Sequence, residues 1–378
     1  MPFEWNTYFD NGATSYPKPA EVARNVSFYL NEIGGNYGRG FSQRNFEVSR
    51  VVEELRFALA QMIGAKKDEN VIFTQNATHA INIVLKGLNL EDKEVWISPL
   101  EHNAVMRPLE HLKERKNVSI KRLPCLKDGL VDVKQLPALR KDTGLVVVNH
   151  QSNVNGLIQP IEEIKRKIGP VPMLIDGAQS IGHETIDVND LNEVYLAMTG
   201  HKGLLGPTGT GALYMYDPGA VDVFVDGGTG SVSESTGMPK FLPDRFEAGT
   251  PNIAGLFGLS AALEHRPAKN HEKSDFLEFV KELRKIAGYQ VYCAEDLERQ
   301  GELISINHSR LDSSSLGERL YREYQVETRV GLHCAPFAHQ TLGTFPVGTV
   351  RLAPSIYHTG SDFERLLGIL VEIDRTLK

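Results

Sequence analysis

Lys202 stands in Thr199-Gly-His-Lys-Gly203, directly after an apolar run, Val194–Thr199, that reads as a buried strand. A lysine at the carboxyl end of such a strand, among small residues, can be approached by a planar ligand and partly stripped of water. Only the neutral amine attacks a carbonyl, and burial favours that form, so the chemistry suggested is Schiff-base formation. Asp176 ends a second apolar run in Leu174-Ile-Asp-Gly-Ala-Gln179. An acid there is poorly solvated and needs a cation, and the ring nitrogen of a heteroaromatic cofactor would serve. Gln179, three residues on, could reach an oxygen on the same ring. Taken alone, the segment is equally well a strand-ending Asp-Gly turn.

Three further segments carry candidate groups. Thr74-Gln-Asn-Ala-Thr-His-Ala80 lies between a strand and a helix. A helix N-terminus offers free N–H groups and partial positive charge to a phosphate, with the Thr78 hydroxyl beside it; alone, the motif is an ordinary N-cap by Asn76 or Thr78. His102, in Glu101-His-Asn-Ala104, follows another strand and could stack on a flat ring; for any one of 12 histidines, a surface or core position is the plainer reading. Thr328-Arg-Val-Gly-Leu-His-Cys-Ala-Pro336 places Cys334 in a Gly/Pro-bounded loop, where a thiol can be exposed and activated by His333 or Arg329. A lone cysteine is more often a buried packing residue. Arg351, in Thr349-Val-Arg-Leu352, sits among apolar neighbours and suits bidentate carboxylate binding.

Other readings are excluded by missing residues. Gly206-Pro-Thr-Gly-Thr-Gly211 has the first part of a P-loop, but Ala212 and Leu213 stand where Lys and Ser/Thr are required. It reads as a tight turn before a strand. A His/Cys metal site of Cys334 with His339 lacks further well-spaced ligands, so none is expected. Cys125, Cys293 and Cys334 are the three cysteines, none close to another, which argues against a disulfide framework and for a reducing compartment. Cys125 and Cys293 read as packing residues. Forty-one basic residues against 48 acidic give a net charge of −7, with no basic face for nucleic acid. Met1-Pro-Phe-Glu-Trp5 lacks the pattern of a signal peptide, and no apolar run approaches the ~20 residues of a membrane helix. A cytoplasmic protein is expected.

The elements that must position these groups follow from hydrophobic patterning. Strands are expected at Val71–Thr74, Val95–Ser98, Val118–Leu123, Leu145–His150, Met173–Asp176, Val194–Thr199 and Gly211–Tyr216. Several are almost wholly apolar, as in strands covered on both faces. Helices are expected at Val48–Met62 and Thr78–Leu88. Seven strands with helical crossovers imply a mostly parallel sheet, which binds ligands beyond the carboxyl ends of its strands. After about residue 262 the texture changes. A charged helix, Glu272–Ala287, precedes shorter strands such as Gln290–Cys293, Glu302–Asn307 and Thr349–Leu352, and a closing helix spans Ser361–Thr376. The fold class expected is α/β, with a large domain over residues 15–261 and a smaller α+β domain over residues 262–378. Residues 1–14 are expected to pack on the smaller one.

In order and spacing, the motifs resemble the fold-type I pyridoxal-phosphate (PLP) enzymes of the class V aminotransferase family, and within it the cysteine desulfurases. The resemblance runs from Tyr8-Phe-Asp-Asn-Gly-Ala-Thr14 to Tyr357-His-Thr359 and is strongest in Asp176-Gly-Ala-Gln179, Gly200-His-Lys202 and Phe246-Glu-Ala-Gly-Thr-Pro-Asn252. It implies that Ala77, Thr78, Thr199 and His201 hold the cofactor phosphate and that His102 stacks on the pyridine ring. Asn153 and Gln179 would meet the phenolic oxygen, Asp176 the ring nitrogen, and Lys202 would form the Schiff base. Thr250 would reach the phosphate of a neighbouring subunit, making the protein a homodimer. Arg351 and Asn153 would bind substrate, and Cys334 would take sulfur from L-cysteine as a persulfide, leaving alanine, before passing it to an acceptor protein. The Arg329–Cys334 stretch looks like the sulfur-assimilation (group II) branch, which includes selenocysteine lyases. Leu332 stands where that branch commonly has a first histidine, and Asn36-Tyr-Gly-Arg-Gly40 matches it loosely, so L-selenocysteine stays open as a substrate. A plain aminotransferase, another C–S lyase or an epimerase would need no thiol at Cys334. A PLP-fold binding protein without activity would need neither Lys202 nor Asp176.

Overall fold

The computed structural model describes residues 4–38 and 40–377. Met1–Phe3 of the N-terminal reading, Arg39 of the Asn36–Gly40 segment and Lys378 lie outside the described residues. The main sheet has seven strands: β1 (Val71–Thr74), β2 (Glu94–Ile97), β3 (Ser119–Arg122), β4 (Thr143–Asn149), β5 (Met173–Asp176), β6 (Val194–Thr199) and β7 (Gly211–Met215). Their spatial order is β1-β7-β6-β5-β4-β2-β3. The pairs from β6 through β5, β4 and β2 to β3 are parallel, and β7 runs antiparallel to both β1 and β6.

Helices α1 (Ala20–Phe28) and α2 (Gln43–Met62) precede this sheet. Between its strands run α3 (Ala77–Gly87), α4 (Asn103–Lys116), α5 (Ile161–Ile168) and the short α6 (Val188–Leu191), and α7 (Ile253–Glu264) follows it. Because side chains alternate across a strand, Val146, Val148, Ile175 and Met198 join Val52, Leu55 and Leu59 of α2, Ile164 of α5 and Phe257 of α7 in one core. Leu145, Val147, Leu174 and Ala197 face the other way, onto Ile81 and Val84 of α3 and Leu109 of α4. Covering both faces explains why these strands read as continuous apolar runs. Helix α2 starts five residues before Val48, because its polar first turn carries no hydrophobic period; Ser42 caps it by accepting from Asn45 N at 3.3 Å.

A second, antiparallel sheet has the order β10-β11-β9-β8, from β8 (Tyr289–Tyr292), β9 (Ile304–His308), β10 (Arg329–Gly331) and β11 (Thr349–Leu352). Around it lie α8 (Lys273–Arg284), α9 (Ser313–Tyr324), α10 (Pro336–Leu342) and α11 (Gly360–Thr376). This sheet has its own core, including Phe276, Val280, Ile306, Leu320, Leu352 and Leu366, and Phe9 of the N-terminal segment is buried in it. Strand β9 begins at Ile304, two residues later than expected; Glu302 is instead drawn to Lys269 and to His271, whose Nε2 lies 3.1 Å away. Between Val221 and Ile253 the backbone forms neither helix nor strand. Glu247 pins this long segment to the sheet. It pairs with Arg56 at 2.7 Å and accepts from Phe73 N at 2.7 Å. Among the described residues no helix is long and apolar enough to cross a membrane.

Candidate active site

The carboxyl ends of the parallel strands converge on one cavity of about 370 Å³. Strand β4 delivers Asn149, β5 delivers Asp176 and β6 delivers Thr199, followed by His201 and Lys202. His102 comes from the turn after β2, and Ala77 and Thr78 from the first turn of α3. The second sheet closes the other side with Arg329, His333, Cys334 and Arg351. Lys202, Asp176, Gln179, Asn153, His102, Thr199, His201, Ala77, Thr78, Arg351 and Cys334 therefore line a single space. Thr250 does not. It is exposed on the irregular segment after Glu247, outside the cavity of its own chain.

At α3, Asn76 caps the helix by accepting from His79 N at 2.9 Å, as the plainer reading expects. That leaves the amides of Ala77 and Thr78 in a first turn that has no intrahelical acceptors. The turn can come this close to β7 because Gly211 has no side chain: a Cβ there would sit 2.8 Å from Asn76 Cα. Several buried polar atoms around the cavity have no hydrogen-bond partner among the described residues. They are Thr199 Oγ1, His201 Nδ1, Asn149 Oδ1, Asn153 Oδ1, His333 Nδ1 and Arg351 Nε. Buried polar groups are normally paired. This set of donors and acceptors, facing one cavity beside a helix N-terminus, suits a polar, anionic, heteroaromatic ligand.

The charges fit the same description. Asp176 is 3% exposed, and burial pushes its carboxyl above the usual range, against the pull of a hydrogen bond from Ala178 N at 3.0 Å and of the Lys202 charge. A cationic ring nitrogen would stabilise the carboxylate there. The His102 ring is held neutral: burial first, then the charges of Lys202, Arg351 and Arg107, lower its pKa to about 4. Its Nδ1 accepts from Ala104 N at 3.0 Å, so the proton sits on Nε2. The Lys202 ammonium is lowered to about 8, by burial first and the Arg351 charge second, with Asp176 pulling the other way. Its neutral form therefore dominates only above about pH 8. Covalent capture of an aldehyde by Lys202, trapped with borohydride, should rise about tenfold per pH unit below 8 and level off above it. A rate still climbing between pH 9 and 10 would show an unperturbed amine.

His333 cannot assist Cys334 as a cation, because burial and the nearby Arg351 charge hold its imidazole neutral, at about 2. Its Nε2 lies 2.9 Å from Thr349 Oγ1. Arg329 is engaged too, its Nε 3.1 Å from Asp10 Oδ2. The Cys334 loop is instead held mechanically. Asn153 Nδ2 donates to His333 O at 2.8 Å, and Asn103 N to Cys334 O at 2.8 Å. His333 and Cys334 take left-handed φ values of 48° and 55°. Two such non-glycine residues in succession cost roughly 1–3 kcal/mol each and persist because the loop is tied on both sides. Cys334 is exposed, and Cys293 is buried. Cys125 is half-buried and accepts from Arg122 NH2 at 2.9 Å.

Sequence reasoning missed two residues of the site. Asn149 ends the apolar run Val146-Val-Val-Asn149 just as Asp176 ends its own, pairs with Asp176 in register, and could have been found by the same argument. Asp10 meets Arg351 at 2.7 Å from 341 residues away, with no local signal. Gln179 is more committed than expected, because its Nε2 donates to Gly12 O at 2.8 Å.

Comparison with known proteins agrees with this geometry. The aminotransferase class-V family profile matches residues 7–366. A probable cysteine desulfurase of Methanothermobacter thermautotrophicus is 33% identical over 97% of this chain and 94% of its own length. A cysteine desulfurase of Pectobacterium carotovorum is 32% identical over 98% of this chain and 93% of its own. Among solved structures, an apo cysteine desulfurase from Thermococcus onnurineus superposes with a TM-score of 0.89 at 29% identity, covering 98% of this chain and 94% of that one. The strand order, the converging side chains and a family match over nearly the whole length agree: the chain belongs to the class-V aminotransferase family, with the fold-type I architecture.

Proposed function

We propose that the protein is a PLP-dependent cysteine desulfurase, converting L-cysteine to L-alanine and taking the sulfur onto Cys334. The observation that carries this reading is that Cys334, Lys202 and Arg351 line one cavity, with the cysteine exposed. A transaminase on this fold needs the lysine and the arginine but no thiol. The amides of Ala77 and Thr78, Thr199 Oγ1 and the His201 ring would hold the cofactor phosphate. Asp176 would meet the ring nitrogen, the His102 ring would lie against the pyridine, and Asn153 and Gln179 would stand near the phenolic oxygen. Once bound, PLP supplies an electron sink conjugated to the substrate Cα.

The chain's own groups do the rest. Arg351 holds the substrate carboxylate, with Asn153 beside it. The neutral Lys202 amine takes the Cα proton and later returns it. His102, with its proton fixed on Nε2, keeps a donor in the cavity without adding charge. The Cys334 thiolate attacks the substrate sulfur. A new S–S bond forms, the C–S bond breaks, and its electron pair stays on the carbon fragment, which takes up a proton and leaves as alanine. The exposed loop then presents the persulfide to an acceptor protein. Thr250, exposed in its own chain, completes the site of a second copy, so the working unit is a homodimer. The large and small units of each chain divide near residue 262.

Alanine, sulfide and selenide release, measured side by side from L-cysteine and L-selenocysteine, tests the reading. Alanine should form from L-cysteine in step with sulfide in the presence of a reductant. Release confined to L-selenocysteine would make the protein a lyase of the same family instead.

A further inference from the structure

Strands β10 and β11 set two arginines directly opposite each other, Arg329 against Arg351. Like charges across an antiparallel pair repel. Arg351 is also 2% exposed, so its charge is out of water and requires a partner. A single carboxylate answers both: Asp10 Oδ1 lies 2.7 Å from Arg351 NH2, and Asp10 Oδ2 lies 3.1 Å from Arg329 Nε.

The N-terminal segment is built to hold that acid in place. Asp10 forms a parallel bridge with Ala353, two residues beyond Arg351. Ala353 N donates to Phe9 O at 2.8 Å and Asn11 N to Ala353 O at 3.1 Å. Phe9, buried in the core of the second sheet, anchors the segment there. Gly12 then passes close to the guanidinium: a Cβ there would lie 2.9 Å from Arg351 Cζ and 3.0 Å from Leu303 Cδ1. On its far side Arg351 NH1 donates to Asn153 O at 3.1 Å. The guanidinium is thus clamped by Asp10, by the Asn153 carbonyl and by the Gly12 backbone, while Nε stays buried without an acceptor.

We propose that Asp10 is the positioning residue for substrate-carboxylate recognition. It fixes the plane of Arg351, cancels one of the two adjacent arginine charges, and leaves the pair with the single positive charge that one α-carboxylate requires. The proposal rests on the reading of Arg351 as the carboxylate ligand. Removing Asp10 has two opposed effects. The site becomes more positive, which attracts any anion, and Arg351 loses its orientation while gaining a repelling neighbour. Orientation dominates, because Arg351 is buried and geometrically committed, whereas the Arg329 side chain is 47% exposed and its charge is screened by solvent.

The test compares Asp10→Ala, Asp10→Asn and Asp10→Glu in the cofactor-loaded protein. L-alanine and L-alaninamide, which differ in the carboxylate, are titrated against the cofactor absorption band, and kinetics with L-cysteine are measured alongside. For Asp10→Ala, L-alanine binding should weaken and KM for L-cysteine rise by about tenfold or more, the worth of a charge-assisted hydrogen bond. L-alaninamide binding should be unchanged and kcat should stay within about threefold of the parent. Asp10→Glu, which keeps the charge, should recover part of the loss. Asp10→Asn, nearly isosteric and able to keep one hydrogen bond to Arg351, should shift in the same direction and covers the case in which the alanine variant does not fold. Equal losses for alanine and alaninamide, or tighter L-alanine binding in Asp10→Asn, overturn the proposal. If the parent protein made no alanine from L-cysteine, the desulfurase reading would fall, while the alanine–alaninamide comparison would still decide the role of Asp10.

Discussion

Cys334→Ala should lose about a thousandfold or more of its alanine formation from L-cysteine while keeping the cofactor and its absorption band. The expectation follows from position. The loop is tied through backbone atoms: Asn153 bonds the His333 carbonyl and Asn103 bonds the Cys334 carbonyl. Truncating the thiol therefore leaves the loop and the cofactor site in place but removes the nucleophile, whose loss on this scale is typical of covalent catalysis. Neither of the other cysteines can substitute. Cys293 is buried beside Arg284, and Cys125 lies against Arg122, neither lining the cavity. L-selenocysteine separates two explanations. Its selenolate leaves without help from a protein thiol, so the variant should keep a measurable part of its activity on that substrate. Equal loss on both substrates would point to a collapsed site.

The second large effect concerns Lys202. Lys202→Ala should bind PLP without a covalent bond and lose about 10⁴-fold in turnover, because the group that takes and returns the Cα proton is gone. The proposed sharing of sites in a dimer allows a sharper test. Neither Lys202→Ala nor Thr250→Ala homodimers should be fully active, but mixing the two should restore activity. In the mixed dimer one site carries both defects and the other carries neither. Recovery to about a quarter of the parent activity is expected when half of the dimers are mixed and one site in each works. No recovery above either parent variant would show that Thr250 serves its own chain or none.

Much of this architecture was legible because burial writes it into the sequence. Val146, Val147 and Val148 can form a continuous apolar run only where helices cover both faces of β4, and the ends of such runs located Asp176 and Lys202. Elements at the surface were not legible. Strand β10 has three residues, none of them buried and one a glycine, so it carries no alternation, and α10 is announced only by Pro336 in its first turn. The Asp10 clamp was invisible for another reason. Its partners lie 319 and 341 residues away, and only the pairing of the N-terminal segment with Ala353 brings them together. The geometry of the Cys334 loop was equally hidden, since consecutive left-handed φ values at His333 and Cys334 depend on hydrogen bonds from the first sheet's side of the cavity. The sequence offered His333 or Arg329 to activate the thiol, but burial keeps His333 neutral and Arg329 is paired with Asp10.

Mass spectrometry of the unreduced protein after a few turnovers with L-cysteine tests the central claim most directly. One additional sulfur atom should appear on the peptide containing Cys334, in an amount that matches the alanine released before any acceptor is added, and a reductant should remove it. Stoichiometric alanine with the extra sulfur on Cys125 or Cys293, or on no cysteine at all, would contradict the account.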